Sequence, residues 1–207
     1  MTDAVEKILG AHDVSRETSE RLHAFVALLN KWNPAINLVS KSTLPNVWSR
    51  HIVDSLQVFR LATGAKSWAD LGTGGGFPGL VAAIVAIEES PGAKFTLVES
   101  DQRKSAFLRT AVRETGANAQ VLAVRIEQAS PQNADIVSAR ALADISELLE
   151  YTQRHLHPDG TALLQKGAKW QKEIETARDQ WQFDLEPITS VTEPEAVILK
   201  IRNIARV

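Results

Sequence analysis

Five of the chain's eleven glycines fall at Gly72, Gly74, Gly75, Gly76 and Gly79. They sit in the segment Asp70-Leu71-Gly72-Thr73-Gly74-Gly75-Gly76-Phe77-Pro78-Gly79. Glycine there gives a sharp turn with positive φ and lets a ligand touch the backbone. Two patterns overlap in the segment. Gly74-x-Gly76-x-x-Gly79, with Glu99 following, is the dinucleotide fingerprint. Asp70-x-Gly72-x-Gly74-x-Gly76 is the pattern of S-adenosylmethionine (SAM) sites. The carboxylate decides between them. It can accept a hydrogen bond from a cationic amino-acid moiety and neutralise it. A pyrophosphate needs helix N-terminal amides and would be repelled. Asp70 therefore favours SAM, and Glu99 suits ribose hydroxyls under either pattern.

Further candidates lie downstream. Val124-Arg125-Ile126-Glu127 is expected at the corner that meets the adenine end of such a cofactor. Ile126 would cover the ring there, or simply pack in the core, and Ile126 and Glu127 would offer backbone groups to its edge. Asp135-Ile136-Val137-Ser138-Ala139-Arg140-Ala141 ends where substrate-facing chemistry is placed. The Asn/Asp-Pro-Pro-aromatic element of exocyclic-amine methylation is absent from it. Arg140 stands there instead, able to bind a carboxylate, a phosphate or a guanine edge, or to form a surface ion pair. His51 and Asp54, at i and i+3, can hydrogen-bond to each other on a helix. His155 and His157 resemble a metal pair but are better explained as a helix end before Pro158-Asp159-Gly160. Arg103, Lys104, Arg109 and Arg113 form either an RNA-facing surface or, as the favoured reading, a solvated helix face.

Two kinds of element must carry these residues. Leu22, Phe25, Val26 and Leu29 recur with helical period, which predicts a helix over 15–33, capped by Ser15 and stopped by Pro34. A second helix is expected over 46–62, through Trp48, Ile52, Leu56 and Phe59. From residue 67 the rhythm changes. Strands are expected at 67–71, 94–100, 119–124, 134–140 and 160–167. Helices are expected at 78–89, 101–116, 144–156 and around 168–180, with a terminal hairpin behind them. Strands alternating with helices imply an α/β fold. We expect a Rossmann-like, SAM-dependent methyltransferase sheet, mostly parallel with an antiparallel last strand. The expected division is an N-terminal helical segment at 1–62 and a SAM-binding domain at 63–207.

The composition restricts the chemistry. The 207 residues include no cysteine, which removes disulfides, thiolate metal sites and thiolate nucleophiles, carbon methylation of pyrimidines included. The formal charge of −2 gives no global cationic field, so any nucleic acid must be met by a local patch. No targeting pattern or membrane-length apolar run occurs, so a cytoplasmic location is expected. No heptad suggests a dimer, and a monomer is expected. The residues alone leave three functions open: methylation of RNA, methylation of a small molecule, and RNA binding without catalysis.

NLVS (37–40), SRHIVDSL (49–56), DLGTGGGFPGL (70–80), LVESDQRKSAFLR (97–109), VRIE (124–127), SARAL (138–142) and LLQKG (163–167) occur in an order and spacing that resembles the RsmG family, also called glucose-inhibited division protein B. The resemblance spans roughly residues 30–170. It implies methyl transfer from SAM to N7 of a guanine in the 530 loop of 16S ribosomal RNA, free or within the small ribosomal subunit. Carried over by motif, the cofactor positions are Gly72, Phe77, Ile126, Glu127 and Arg140, beside Asp70, Gly74 and Glu99 from the loop pattern. Arg125 and Lys166 match basic positions expected to face the RNA or the transferring methyl. Gln165 departs from the family pattern, which expects an apolar residue there, and is expected to lie outside the chemistry. Guanine N7 is an unprotonated lone pair, so its methylation needs no general base.

Overall fold

The computed structural model describes Val5, Lys7, residues 9–62 and residues 64–207. Part of the N-terminal stretch read for a targeting pattern, and residue 63 at the expected division, lie outside the described residues. Among those described, no helix is long and apolar enough to cross a membrane.

Helix α1 (Arg16–Ile36) starts at Ser15, whose Oγ accepts from Thr18 N at 3.0 Å. It buries Leu22, Phe25, Val26 and Leu29, as the apolar stripe predicts. Pro34 does not stop it. The helix runs on to Ile36, where Asn37 in the left-handed region returns its N–H to Asn33 O. Buried Asn33 also fixes the departing chain by accepting from Val39 N at 2.8 Å. Proline lacks only its own donor, so a half-turn beyond it survives when the following carbonyls are capped. The helix expected over 46–62 is in three pieces: a 3-10 turn (Leu44–Asn46), a π-helical turn (Trp48–Ile52) and α2 (Val53–Arg60).

The remainder alternates as expected: β1 (Ser67–Leu71), α3 (Gly79–Glu89), β2 (Lys94–Val98), α4 (Gln102–Thr115), β3 (Ala119–Leu122), a 3-10 turn (Ile126–Gln128), β4 (Ala134–Arg140), α5 (Ile145–His155), β5 (Leu156–Lys166), α6 (Trp170–Ala177), β6 (Trp181–Thr189) and β7 (Val197–Arg206). Among the described residues seven strands form one sheet, in the order β3-β2-β1-β4-β5-β7-β6. β7 runs antiparallel to both of its neighbours, β5 and β6, and this last strand in sequence is second from the edge. β5 begins at Leu156, four residues earlier than expected. Ala134 pairs with Leu156, and a register shift follows before Ile136.

Strand order reverses between β1 and β4, and the crevice beyond the carboxyl ends of strands at such a point is where ligands bind. The two faces are packed separately. On one, Leu22, Phe25 and Leu29 of α1 join Leu80, Ile84, Phe107 and Trp68 in one apolar cluster, so the N-terminal helices share a core with the sheet. On the other, Ala69 and Leu71 pack with Ile145, Leu149 and Ile174 of α5 and α6. β1 is therefore apolar on both sides, which makes the carboxylate of Asp70 in its midst the exception.

Candidate active site

The glycine loop joins β1 to α3. Gly72, Gly74 and Gly76 have φ of +65°, +57° and +97°, a region in which a side chain is strained. Gly79 is required by crowding: a Cβ there would stand 2.6 Å from Asp70 Oδ2. Asp70 is fully buried. Its Oδ2 accepts from Thr73 Oγ1 at 2.8 Å and from Gly79 N at 3.1 Å, and its Oδ1 accepts from Ser138 Oγ at 2.6 Å. Ser138 in turn accepts from Trp68 Nε1 at 2.7 Å. Burial pushes the Asp70 carboxyl up to about 6, against those hydrogen bonds and the charge of Arg140. The structure thus places Asp70 beneath the loop, where it organises the turn, and not among the lining residues of the neighbouring cavity. The direct contact with a cationic ligand expected of it is not presented.

Two cavities open beyond the strand ends. The first, about 330 Å³, is lined by the backbone of Gly72 and Gly74, by Glu99, by Arg125, Ile126 and Glu127 after β3, and by Arg140. Glu99 is buried and joins loop to strand, with Oε2 accepting from Gly74 N at 2.9 Å and Oε1 from Asp101 N at 2.8 Å. His155, buried at the end of α5, has Nε2 at 3.1 Å from Ile126 O, and Arg154 Nη2 donates to Ala129 O at 3.0 Å. The end of α5 therefore fixes the Ile126 corner. His155 Nε2 thus faces a backbone carbonyl, and burial holds the His155 pKa below the ordinary value, against that same hydrogen bond.

The second cavity, about 590 Å³, is lined by Arg50, Asp54, Arg140, Gln165, Lys166 and the loop before β7, among others. Arg140 and Ala141 line both cavities and form the wall between them. Ala141 has φ of +47°, strained for a residue with a Cβ. The Arg140 guanidinium lies 6.0 Å from the Phe77 ring centroid, and its buried Nη1 has no hydrogen-bond partner among the described residues. Burial lowers its pKa, Asp54 and Asp70 raise it, and Arg50 lowers it further.

Of the expected site residues, the structure brings Gly72, Gly74, Glu99, Ile126, Glu127, Arg125 and Arg140 to the first cavity. Phe77 is buried behind the loop, with His51 stacked on it at 4.9 Å and Phe25 at 5.5 Å, and lines neither cavity. Lys166 lines only the second cavity, with Nζ 2.7 Å from Glu173 Oε2 and 2.8 Å from Ala143 O. Arg125 and Lys166 are therefore on different cavities. His51 and Asp54 do not bond to each other: His51 Nε2 lies 3.1 Å from Thr43 Oγ1, while Asp54 Oδ1 accepts from Ser190 Oγ at 2.9 Å and Oδ2 accepts from Gln165 Nε2. Gln165, the departure from the family pattern, is among the residues that line the second cavity. Glu147 and Tyr151 of α5, joined by a hydrogen bond, line the first cavity. Sequence gave no sign of them, because i, i+4 polar residues on an amphipathic helix look the same on any solvated face.

Residues 18–201 match the family described as rRNA small subunit methyltransferase G (GidB). The chain belongs to the rRNA small subunit methyltransferase G family. A curated relative from Ruegeria pomeroyi, named Ribosomal RNA small subunit methyltransferase G, is 57% identical over 195 residues, 94% of this chain and 96% of its own. One of the same name from Cereibacter sphaeroides is 51% identical over 203 residues, 98% of each. A solved SAM-dependent methyltransferase from Aquifex aeolicus superposes with a TM-score of 0.58 at 14% identity, covering 76% of this chain and 93% of that one. A TehB-like methyltransferase from Corynebacterium glutamicum gives 0.56 at 16%, covering 72% and 86%. Both share the fold. The resemblance read from the motifs thus holds for family, fold and enzyme class, and the methyl donor of this family is SAM.

Proposed function

We propose that this enzyme transfers a methyl group to N7 of a guanine in the 530 loop of 16S ribosomal RNA, with the donor in the first cavity and the base in the second. One observation carries the reading: two cavities of different character meet at a single wall, Arg140–Ala141, just past the carboxyl ends of β1 and β4.

The first cavity fits SAM on its own chemistry. Its floor is glycine backbone held at positive φ, its side is the Glu99 carboxylate, and its far corner is the Ile126 turn. Gly72, Gly74, Glu99, Ile126, Glu127 and Arg140 would hold the donor, with Asp70 acting through the loop. Bound there, SAM supplies an electrophilic methyl group.

The chain's residues then have three tasks. Arg50, Lys166 and Lys169 line the second cavity as cations able to meet phosphate, which positions RNA without reading sequence. Arg140, in the shared wall, orients what lies on either side. The strained turn at Ala141 keeps that wall thin. N7 carries a lone pair and no proton, so the site needs alignment and charge stabilisation, not a general base. His51, buried and stacked on Phe77, is held neutral with its pKa at about 3 by burial and by Arg140 and Arg50.

In this reading the helical segment over 1–62 walls the second cavity through Arg50 and Asp54, ahead of the methyltransferase domain at 63–207. The enzyme acts as a cytoplasmic monomer on free RNA or on the small subunit. The test is to supply labelled SAM with 16S RNA or isolated subunits lacking the modification, then digest to nucleosides and map the label by mass spectrometry. Label in 7-methylguanosine from the 530 loop supports the reading. Label elsewhere, or in another nucleoside, overturns it.

A further inference from the structure

Two side-chain atoms at the carboxyl ends of adjacent strands have no hydrogen-bond partner among the described residues, and they are of opposite kind. Arg140 Nη1 is a buried donor and Gln165 Oε1 a buried acceptor. The two residues are register partners on β4 and β5, and both line the 590 Å³ cavity. Buried polar atoms in folded proteins are nearly always satisfied, so an open pair of this kind needs an explanation.

The orientation of the Gln165 amide is fixed. Its Nε2 donates to Asp54 Oδ2, and Asp54 Oδ1 accepts from Ser190 Oγ at 2.9 Å and from Thr192 Oγ1 at 3.3 Å. An ionised carboxylate only accepts, so the amide oxygen cannot be turned toward it. Asp54 is thus the residue that leaves Gln165 with a spare acceptor.

We propose that Arg140 and Gln165 identify the base to be methylated as guanine, Arg140 donating to O6 and Gln165 Oε1 accepting from N1–H. The proposal rests on the reading of the second cavity as the seat of a guanine whose N7 faces the first. The order of groups agrees. Around the guanine ring, O6 lies next to N7 and N1–H lies one position farther on. In the protein, Arg140 stands in the wall between the cavities, and Gln165 lies one strand farther from the first cavity, a step of about 4.8 Å between strands. Adenine presents the reverse polarity, an amino donor at C6 and an acceptor at N1. It would set donor against donor at Arg140 and acceptor against acceptor at Gln165. Sites that leave buried polar groups unpaired reject such analogues strongly. Lys166, the neighbouring cation, offers only donors on a flexible stem and cannot make this distinction.

The experiment uses the intact protein, SAM, and 16S RNA carrying guanosine, inosine or 2-aminopurine at the methylated position. Inosine keeps O6 and N1–H; 2-aminopurine keeps N7 and loses both. With the unaltered protein, inosine is expected to be methylated at close to the guanosine rate, and 2-aminopurine at roughly a tenth or less in kcat/KM. Because N7 of the two purines also differs in intrinsic reactivity, the deciding quantity is how this ratio responds to Gln165→Leu. The variant is expected to lower kcat/KM for guanosine roughly tenfold and to shrink the guanosine to 2-aminopurine ratio, with donor affinity by calorimetry within about twofold of the parent. Gln165→Met, closer in shape, replaces it if donor affinity shows that the leucine variant has lost its fold. An unchanged ratio in a variant that still binds the donor overturns the proposal and leaves the N7 reaction standing. A protein that places no methyl on guanine N7 of any substrate overturns both.

Discussion

Ser138→Ala breaks the site without touching either cavity. In the buried chain Trp68 Nε1 to Ser138 Oγ to Asp70 Oδ1, at 2.7 and 2.6 Å, the hydroxyl serves two groups. Its removal strands the indole N–H, at a cost of about 1–3 kcal/mol, and deprives a buried carboxylate of a charge-assisted hydrogen bond, about 1.5–3 kcal/mol. A total of roughly 2.5–6 kcal/mol corresponds to a fall in Tm of roughly 5–24 °C for a chain of this length. Calorimetric or circular-dichroism melting measures it. A double-mutant cycle with Trp68→Phe then separates the two parts, because phenylalanine has no donor to strand. The double variant is expected to be more stable than the sum of the singles implies by about 1 kcal/mol or more. Asp70 also holds Gly79 N and Thr73 Oγ1, so the loosened loop is expected to weaken SAM binding. A Tm within about 2 °C of the parent, or single effects that add within roughly 0.5 kcal/mol, would refute the buried Trp68–Ser138–Asp70 chain.

Glu99→Gln replaces a carboxylate that accepts from two backbone N–H groups by an amide with one acceptor, so SAM affinity by calorimetry is expected to fall roughly tenfold. Arg125→Ala and Lys166→Ala should part company: the first is expected to weaken SAM binding, the second to lower kcat/KM for RNA while SAM binding stays within about twofold, as their separate cavities require. His51 gives a pH test. Its pKa is depressed from 6.5 to about 3 by burial and by Arg140 and Arg50, so the unfolded chain takes up the proton first. Its contribution is present above pH 6.5 and is lost as pH falls. At pH 5 the loss is about 2 kcal/mol, from about 1.5 pH units at ~1.4 kcal/mol each. Asp70, raised to about 6, acts in the opposite sense, being stabilising below about 4 and losing that contribution as pH rises through 6. The comparison is therefore between His51→Phe and the parent at each pH. Urea unfolding is expected to show the variant gaining on the parent by about that amount between pH 7.5 and pH 5, and a parallel dependence would refute the burial of a neutral His51.

The order of elements was legible because each strand and helix carries its own period and its own punctuation, such as Ser15 as a cap and glycines where β1 turns into α3. The glycine loop, Glu99, the Ile126 corner and Arg140 were legible for the same reason, each standing at a strand end where an α/β sheet binds its ligand. What sequence did not disclose depends on which way a side chain points. Asp70 reads as a ligand carboxylate, yet β1 is covered on both faces and turns it inward to three donors. His51 and Asp54 read as a pair, yet a π-helical turn ends between them and sends one to Phe77 and the other to the loop before β7. Gln165 reads as a departure in a buried strand, and only the sheet shows it in register beside Arg140.

The charge balance of the second cavity bears on the same chemistry. Arg50, Arg140, Lys166 and Lys169 line it, and so do Asp54, Glu173 and Glu193. Arg50 is paired with Glu193 and Lys166 with Glu173, while Asp54 supports the charge of Arg140. A pocket built only to grip phosphate would leave its cations unpaired. Methylation at N7 turns a neutral base into a cation, and an uncompensated cluster of four positive charges would oppose that step in a partly buried site. For the N7 reaction proposed above, carboxylates among the cations let one pocket accept an anionic backbone and a base that becomes positive. That requirement explains how a chain of net charge −2 serves an RNA substrate: the site must be balanced, not merely basic.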